Sequence, residues 1–448
     1  MSKEKLYKYL LVGIICLGGI LRLTVFWVSP ANNSYDDHME VVNIYAEDFK
    51  RPAPSQCWEC YQPPLYYYTG AIVYKAAKLL GGTQATCWKT VQAINPLLSI
   101  ILLLISYKIL MLFKLQKISA IIIMSFIIVL PRDIFTSAML GNDYMLVFFA
   151  VLSFYLFLKT VTALNKEKKK LKWLCALVVA VILGSFTKQH GLILLLFPGI
   201  IFLLLFRKSQ RKKLSWAIPI LILGFLLSLS EETWKFNQTG ELLVSNQHYF
   251  DYAKNQFPGS LEKVEFFTFR IFKLYQYPFI SNSTSASFFT ELFARTFYDY
   301  EWRFISPKVT WARTLGYISY TVGLIWGLFF ILLLLKKQFL NIRLKVNWQT
   351  VTNKVIPLLL ALLYLLVPFI QTLRSPYFSS MKSMFMLPGI IILLLTLGGI
   401  LKQNSLAQQL GRFMVVLNIF FGITLVISIS VYIGVSVNQL HGPLWPFP

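Results

Sequence analysis

Two adjacent carboxylates, Asp36 and Asp37, follow Tyr35 and precede His38, eight or nine residues past the first long apolar run of the chain. Carboxylates at a membrane border are costly unless solvated or used, so they mark a candidate site. One of them could act as a general base toward an acceptor hydroxyl or amine. The other could orient the acceptor or hold a metal. Side by side, like charges raise one pKa, which suits proton transfer. The plainer alternative is a solvated turn in which an Asp caps the following helix, and His38 fits that turn as a capping or exposed residue.

The same face offers cations. Lys188, followed by Gln189-His190, stands at the outer end of an apolar run, and Arg374 and Lys382 stand on a later outer connection. Ammonium and guanidinium groups at an interface can pair with phosphate, or simply snorkel to water. Asp143 closes Gly141-Asn142-Asp143, and Arg132-Asp133 lies shortly before it. Farther on, Tyr298-Asp299-Tyr300-Glu301-Trp302-Arg303 mixes rings with acids. Sugars are bound by such mixtures, rings stacking on the apolar sugar face and carboxylates accepting hydroxyl hydrogens. An interfacial aromatic belt has the same composition.

The elements that must position these residues are membrane helices. Of 448 residues 56% are hydrophobic and only 14% charged, which no soluble domain of this size matches. Continuous apolar runs of about 20 residues span ~30 Å of hydrocarbon as helices. Eleven spans are expected, at 7–28, 91–113, 117–136, 144–160, 171–188, 190–206, 214–230, 314–335, 354–371, 384–401 and 413–435. The fold class is therefore an all-α polytopic membrane protein, a single domain over 1–448.

Charge orients it. Of the 43 Lys and Arg, 24 fall in the N-terminus and alternate short loops, with just two of the 19 acids, Glu4 and Glu167. Basic short loops stay cytoplasmic, which places the N-terminus inside, the C-terminus outside, and large loops 29–90 and 231–312 on the outer face. Topology thus accounts for the net charge of +24, and a nucleic-acid partner is not required. Leu65 to Leu80, entered by Pro63-Pro64 and stopped by Gly81-Gly82, reads as an interfacial helix; if it spanned, every later basic loop would face outward. Cys57, Cys60 and Cys87 are on the outer side, where a Cys57–Cys60 or a Cys60–Cys87 disulfide can persist. Three cysteines and scattered histidines fall short of a zinc site. Asn-x-Ser/Thr sites at Asn32, Asn237 and Asn282 all fall outside.

These residues resemble the GT-C superfamily of integral-membrane glycosyltransferases, which includes protein O-mannosyltransferases and aminoarabinose transferases. The resemblance rests on the order of elements: a first span, the acids Asp36-Asp37, then Gln62-Pro63-Pro64-Leu65-Tyr66-Tyr67 leading into interface helices. Asn142-Asp143 opening a span, the Thr187-Lys188 turn and Lys382-Ser383-Met384-Phe385-Met386-Leu387-Pro388 follow in the same order. The Cys57-Trp58-Glu59-Cys60-Tyr61 lead-in looks like that of bacterial-type members lacking a soluble C-terminal domain. The resemblance implies transfer of a sugar from a polyprenyl-phosphate donor to a protein, glycan or glycolipid acceptor. It implies Asp36 as base ahead of Asp37. Donor-phosphate contacts fall to Lys188 and Lys382, and positioning of the acceptor or a cation to Asp143; from the residues themselves, Arg374 is a further phosphate candidate, and His38, Tyr66, Asp299 and Trp302 are candidates for positioning acceptor or sugar. It requires no cofactor, and a divalent cation is compatible with it. Gln62 stands where many members have His. The competing classes are a transporter or flippase, which would carry mid-membrane charges and internal repeats, and a non-catalytic glycolipid-binding subunit. Arg22 is the one charge well inside an expected span, and no repeat is evident.

Overall fold

The computed structural model describes residues 3–166, 170–204, 215–241, 244–245, 249–250, 263–308, 310–335, 355–375, 380–401 and 405–436. Every regular element among them is helical. The basic loops 207–213 and 336–354 lie outside the described residues, as do Glu167 and the last twelve positions.

The chain opens with α1 (Lys3–Val28), followed in the expected first outer loop by α2 (His38–Asp48), α3 (Leu65–Leu79) and α4 (Gln84–Gln92). Then come α5 (Ile94–Leu112), α6 (Lys117–Val129), α7 (Pro131–Ser137), α8 (Asp143–Lys166) and α9 (Lys170–Ser185). A 3-10 helix, Gln189–Leu195, leads into α10 (Leu196–Leu204) and then α11 (Ile218–Thr239). Short helices α12 (Lys263–Phe266), α13 (Ile271–Gln276) and α14 (Phe288–Phe297) fall within 231–312, the expected second outer loop. The chain continues through α15 (Thr310–Leu335), α16 (Ile356–Arg374), α17 (Leu387–Leu401) and α18 (Ser405–Ser436).

Among the described residues, six helical stretches are long and apolar enough to cross a membrane: 5–28, 84–112, 143–164, 310–333, 356–374 and 409–429. The protein is an integral multi-pass membrane protein. Each of the other expected spans has a helix, but of a different kind. The expected span 117–136 is broken into α6 and α7, bent by 55°. Pro131 has no N–H to continue the ladder, and it forces Leu130 into an extended conformation. Residues 171–185, 189–203 and 383–398 form shorter apolar helices. The expected 214–230 span runs on as α11 to Thr239, carrying Glu231, Glu232 and Lys235 into a buried ion cluster that Arg51 of the first loop joins.

Arg22 is not alone in the bundle. Asp133, expected on an outer connection, is fully buried against its guanidinium. Ser99 and the Gly18 and Ile128 carbonyls accept its other hydrogens, and the Tyr144 hydroxyl donates to Asp133 at 2.9 Å. A buried charge must be paired and hydrogen-bonded to be tolerated, and this one ties α1, α5, α7 and α8 together.

The segment between α1 and α5 has a core of its own, built from Met39, Val42 and Tyr45 of α2, Tyr66 and Tyr67 of α3, Val91 of α4 and the Cys57–Cys60 pair. The disulfide joins Cys57 to Cys60, while Cys87 is a buried free thiol. α3 begins at Leu65, right after Pro63-Pro64, and Gly81 beyond its end adopts φ +81°, the left-handed conformation glycine takes without penalty.

Candidate active site

Asp36 and Asp37 diverge. The Asp37 carboxylate accepts the Glu40 N–H at 3.2 Å and caps α2, with the residue exposed to solvent. Asp36 turns inward and accepts from the Lys382 ammonium at 2.6 Å, both side chains being largely buried. Burial alone would raise the Asp36 pKa, but the Lys382 charge outweighs it and holds the carboxyl at about 2. For Lys382, burial opposes the charge and the Asp36 carboxylate more than restores it, so the ammonium stays on.

A second pair lies beside the first. Lys188 donates to Asp143 at 2.6 Å and to the Asn142 amide oxygen at 3.4 Å. Its ammonium also lies 4.9 Å from the centre of the Phe385 ring. Phe385 belongs to the 3-10 turn Ser383–Met386 that Lys382 opens, so one turn contributes to both pairs. Lys188 itself is placed by a tight crossing. Its carbonyl accepts the Gly191 N–H at 2.7 Å, while the Gly184 carbonyl accepts from Thr187 and Lys188. A Cβ on Gly191 would meet the Gly184 oxygen at 2.0 Å, so only glycine fits there.

A hydrogen-bonded chain of buried side chains runs behind the second pair. The Asn142 amide donates to Gln62 at 3.3 Å and to the Thr187 carbonyl at 3.1 Å. Gln62 in turn donates to Glu59 at 2.9 Å and to the Tyr61 hydroxyl at 2.8 Å. Glu59, held between the two bridged cysteines, is 3% exposed. Burial, reinforced by the nearby Asp36 charge, pushes its carboxyl up to about 8. Glu59 and Gln62 were not among the candidate site residues. The Cys-x-Glu-Cys spacing was the available signal, because a disulfide over three residues fixes what lies between.

His38 is buried and makes a 2.8 Å hydrogen bond to the Tyr67 hydroxyl through Nδ1. Burial first, against the pull of Asp36 and Asp143, lowers its pKa to about 4, so the ring is neutral near pH 7. It is therefore neither exposed nor a cap, since Asp37 takes that part. The His38 ring closes against Gly141, whose N–H donates to the Tyr66 hydroxyl at 3.0 Å. Tyr66 thus supports the turn before Asp143. A small cavity lies among these groups, with Tyr35, His38, Thr136, Asp143 and Met384 in its wall.

The remaining candidates stand elsewhere. Arg374 is exposed at the end of α16. Asp299 is buried, and its carboxylate accepts the backbone N–H groups of Arg303, Phe304 and Ile305, so it organises its own loop. Trp302 is half-buried at φ 48°. That loop reaches the site through Arg303, whose guanidinium lies 5.2 Å from the Tyr35 ring centre. Among the described residues no three His, Cys, Asp or Glu side chains group as a metal site.

Residues 69–253 match the model of the dolichyl-phosphate-mannose-protein mannosyltransferase family. That stretch includes Asp143 and Lys188 and leaves Asp36, Glu59 and Lys382 outside it. ArnT from Cupriavidus metallidurans, solved with undecaprenyl phosphate, is similar at 13% identity and a TM-score of 0.45, over 97% of this chain and 73% of that one. The Archaeoglobus fulgidus oligosaccharyltransferase tethered to an acceptor peptide is similar at 13% identity and a TM-score of 0.45, over 95% of this chain and 56% of that one. No curated protein matches the chain. The resemblance to the GT-C membrane glycosyltransferases is borne out by the mannosyltransferase-family match over residues 69–253.

Proposed function

We propose that this protein is a glycosyltransferase that moves a sugar from a polyprenyl-phosphate donor to an acceptor on the extracytoplasmic face of the membrane. The observation that carries the reading is the pair of buried carboxylate–ammonium contacts, Asp36–Lys382 and Asp143–Lys188, joined through one turn at Phe385. The family matched by residues 69–253 is described by a sugar carried on a polyprenyl phosphate.

The chemistry follows from the charges. The acceptor hydroxyl attacks the anomeric carbon from the side opposite the phosphate. A new carbon–oxygen bond forms as the bond to the phosphate oxygen breaks, and that oxygen keeps the electron pair. Negative charge grows on the phosphate, and Lys382 and Lys188 are the cations that offset it. The acceptor proton goes to Asp36. Asp36 is a weak base while Lys382 holds it near pKa 2. A donor phosphate that draws Lys382 to itself raises the basicity of Asp36 at the moment the donor is bound. Asp143, with Asn142, keeps Lys188 in place.

The test is transfer by the purified protein in lipid nanodiscs, offered a panel of polyprenyl-phosphate sugars. Asp36→Asn is expected to lower kcat by about 10²–10⁴, the usual worth of a general base. Asp37→Asn is expected to stay within a few-fold, because Asn also caps a helix. Undiminished transfer by Asp36→Asn would remove the base assignment. Donor binding without transfer by the wild type would move the reading to a glycolipid-binding subunit.

A further inference from the structure

Among the described residues, Arg132 is a buried cation that neither ion pair includes. Arg132 sits in the first turn of α7, just past the bend from α6, and is 3% exposed. Its Nη1 donates to the Tyr35 hydroxyl, and its guanidinium lies over the Tyr35 ring, 4.8 Å from the centre. Its Nε and Nη2 meet no hydrogen-bond partner among the described residues. A buried donor left open costs on the order of 1–3 kcal/mol, more when charged, so an open buried guanidinium points to something that binds it.

Its surroundings say what. Lys382 and Arg303 lie over the same Tyr35 ring, at 5.6 Å and 5.2 Å. The carboxylates facing this cluster are Asp36, bound to Lys382, and Glu301, which Arg295 engages at 3.2 Å. Glu301 acts on Arg132 through its charge and is hydrogen-bonded to the Tyr35 side chain. The cavity wall formed by Tyr35 continues onto Thr136, one turn after Arg132. Lys382, 5.6 Å from the Tyr35 ring centre, also binds Asp36, so an anion seated here is next to the proposed base.

We propose that Arg132 binds the phosphate of the lipid-linked donor alongside Lys382, an inference that rests on the glycosyltransferase reading. A guanidinium with two open N–H groups presents a planar fork, which suits two oxygens of one phosphate better than a point charge does. Tyr35 takes a third hydrogen and fixes the plane of the fork. The donor is a phosphodiester with one negative charge, and the leaving group is a monoester that approaches two. Arg132 therefore holds the product phosphate more strongly than the donor, and offsets charge as the carbon–oxygen bond breaks.

The experiment measures undecaprenyl phosphate binding to wild type, Arg132→Gln and Arg132→Lys in nanodiscs. Inorganic phosphate and phosphatidylglycerol serve as competitors, and thermal unfolding is followed in parallel. Arg132→Gln is expected to weaken undecaprenyl phosphate at least tenfold, Arg132→Lys several-fold, and neither to change the response to phosphatidylglycerol. The donor KM should rise along with the binding loss. If Arg132→Gln fails to fold, Arg132→Lys decides. Wild-type affinity in both folded variants overturns the Arg132 assignment and leaves the glycosyltransferase reading standing. No binding of undecaprenyl phosphate to the wild type overturns both. Inorganic phosphate competing at the potency of the lipid would make this a free-phosphate site and also overturn the proposal.

Discussion

At the scale of single residues, Asp36 and Asp37 show how little sequence adjacency fixes. Successive side chains at the start of a helix leave in different directions. One reached the α2 amides and the other reached Lys382. The Asp36 carboxyl, depressed to about 2, adds stability above its ordinary value of 3.8 that fades as pH falls toward 2. Glu59 works in the opposite sense. Folded, it titrates near 8 because burial, then the Asp36 charge, disfavours its ionised form; its ordinary value is 4.5. Between those values the folded protein keeps a proton that the unfolded chain releases, so stability falls as pH rises. Glu59→Gln keeps the partner of Gln62 and removes that proton. Thermal unfolding in detergent should show the variant gaining on wild type between pH 5 and pH 8, by a few kcal/mol at about 1.4 kcal/mol per pH unit. Parallel profiles would mean that Glu59 is ionised in the folded state.

At the scale of elements, the site depends on turns more than on spans. Lys188 stands where α9 passes into a 3-10 helix, Lys382 where another 3-10 turn opens α17, and Asp143 at the first residue of α8. Each backbone is irregular where the side chain must reach sideways. Gly191 is the tightest of these points. Gly191→Ala puts a methyl group against a carbonyl oxygen, and backbone cannot yield as a flexible side chain can. The expected cost is about 2 kcal/mol or more, with loss of transfer even in the fraction that folds, since Lys188 shifts with the turn. A circular dichroism melt paired with the transfer assay checks this. A variant with wild-type melting and rate would show that the crossing is looser than described.

At the scale of the whole molecule, Asp36, Lys382, Asp143 and Lys188 gather beside the segment between α1 and α5 and its own small core. The positive-inside count predicts that this segment lies outside the cytoplasm. Asp37 is exposed there. A cysteine placed at Asp37, in a background with the free Cys16, Cys87 and Cys175 replaced, should react with a membrane-impermeant maleimide on intact cells. Labelling that needs permeabilised cells would invert the topology and, with it, the extracytoplasmic site.

Hydrophobic run length and charge asymmetry are local properties of the chain, and they were enough to set the helical class, the expected orientation and the helix from Leu65. They missed the break at Pro131, where a breaker was in plain view inside a run read as continuous. They also missed the extension of α11 to Thr239, because its acids and lysine find buried partners that composition does not reveal. The order of candidate acids and cations along the chain could be read in advance. Which acid meets which cation could not. Asp36 and Lys382 are 346 residues apart, and Lys188 and Asp143 are 45. Such pairs exist only once the helices pack, since nothing in the local chemistry of either partner encodes the other's position. The sequence by itself determined a helical membrane bundle and the order of candidate acids and cations along it. The tertiary structure decided that Asp36 faces inward while Asp37 caps a helix, and that Glu59 and Arg132 lie buried beside them.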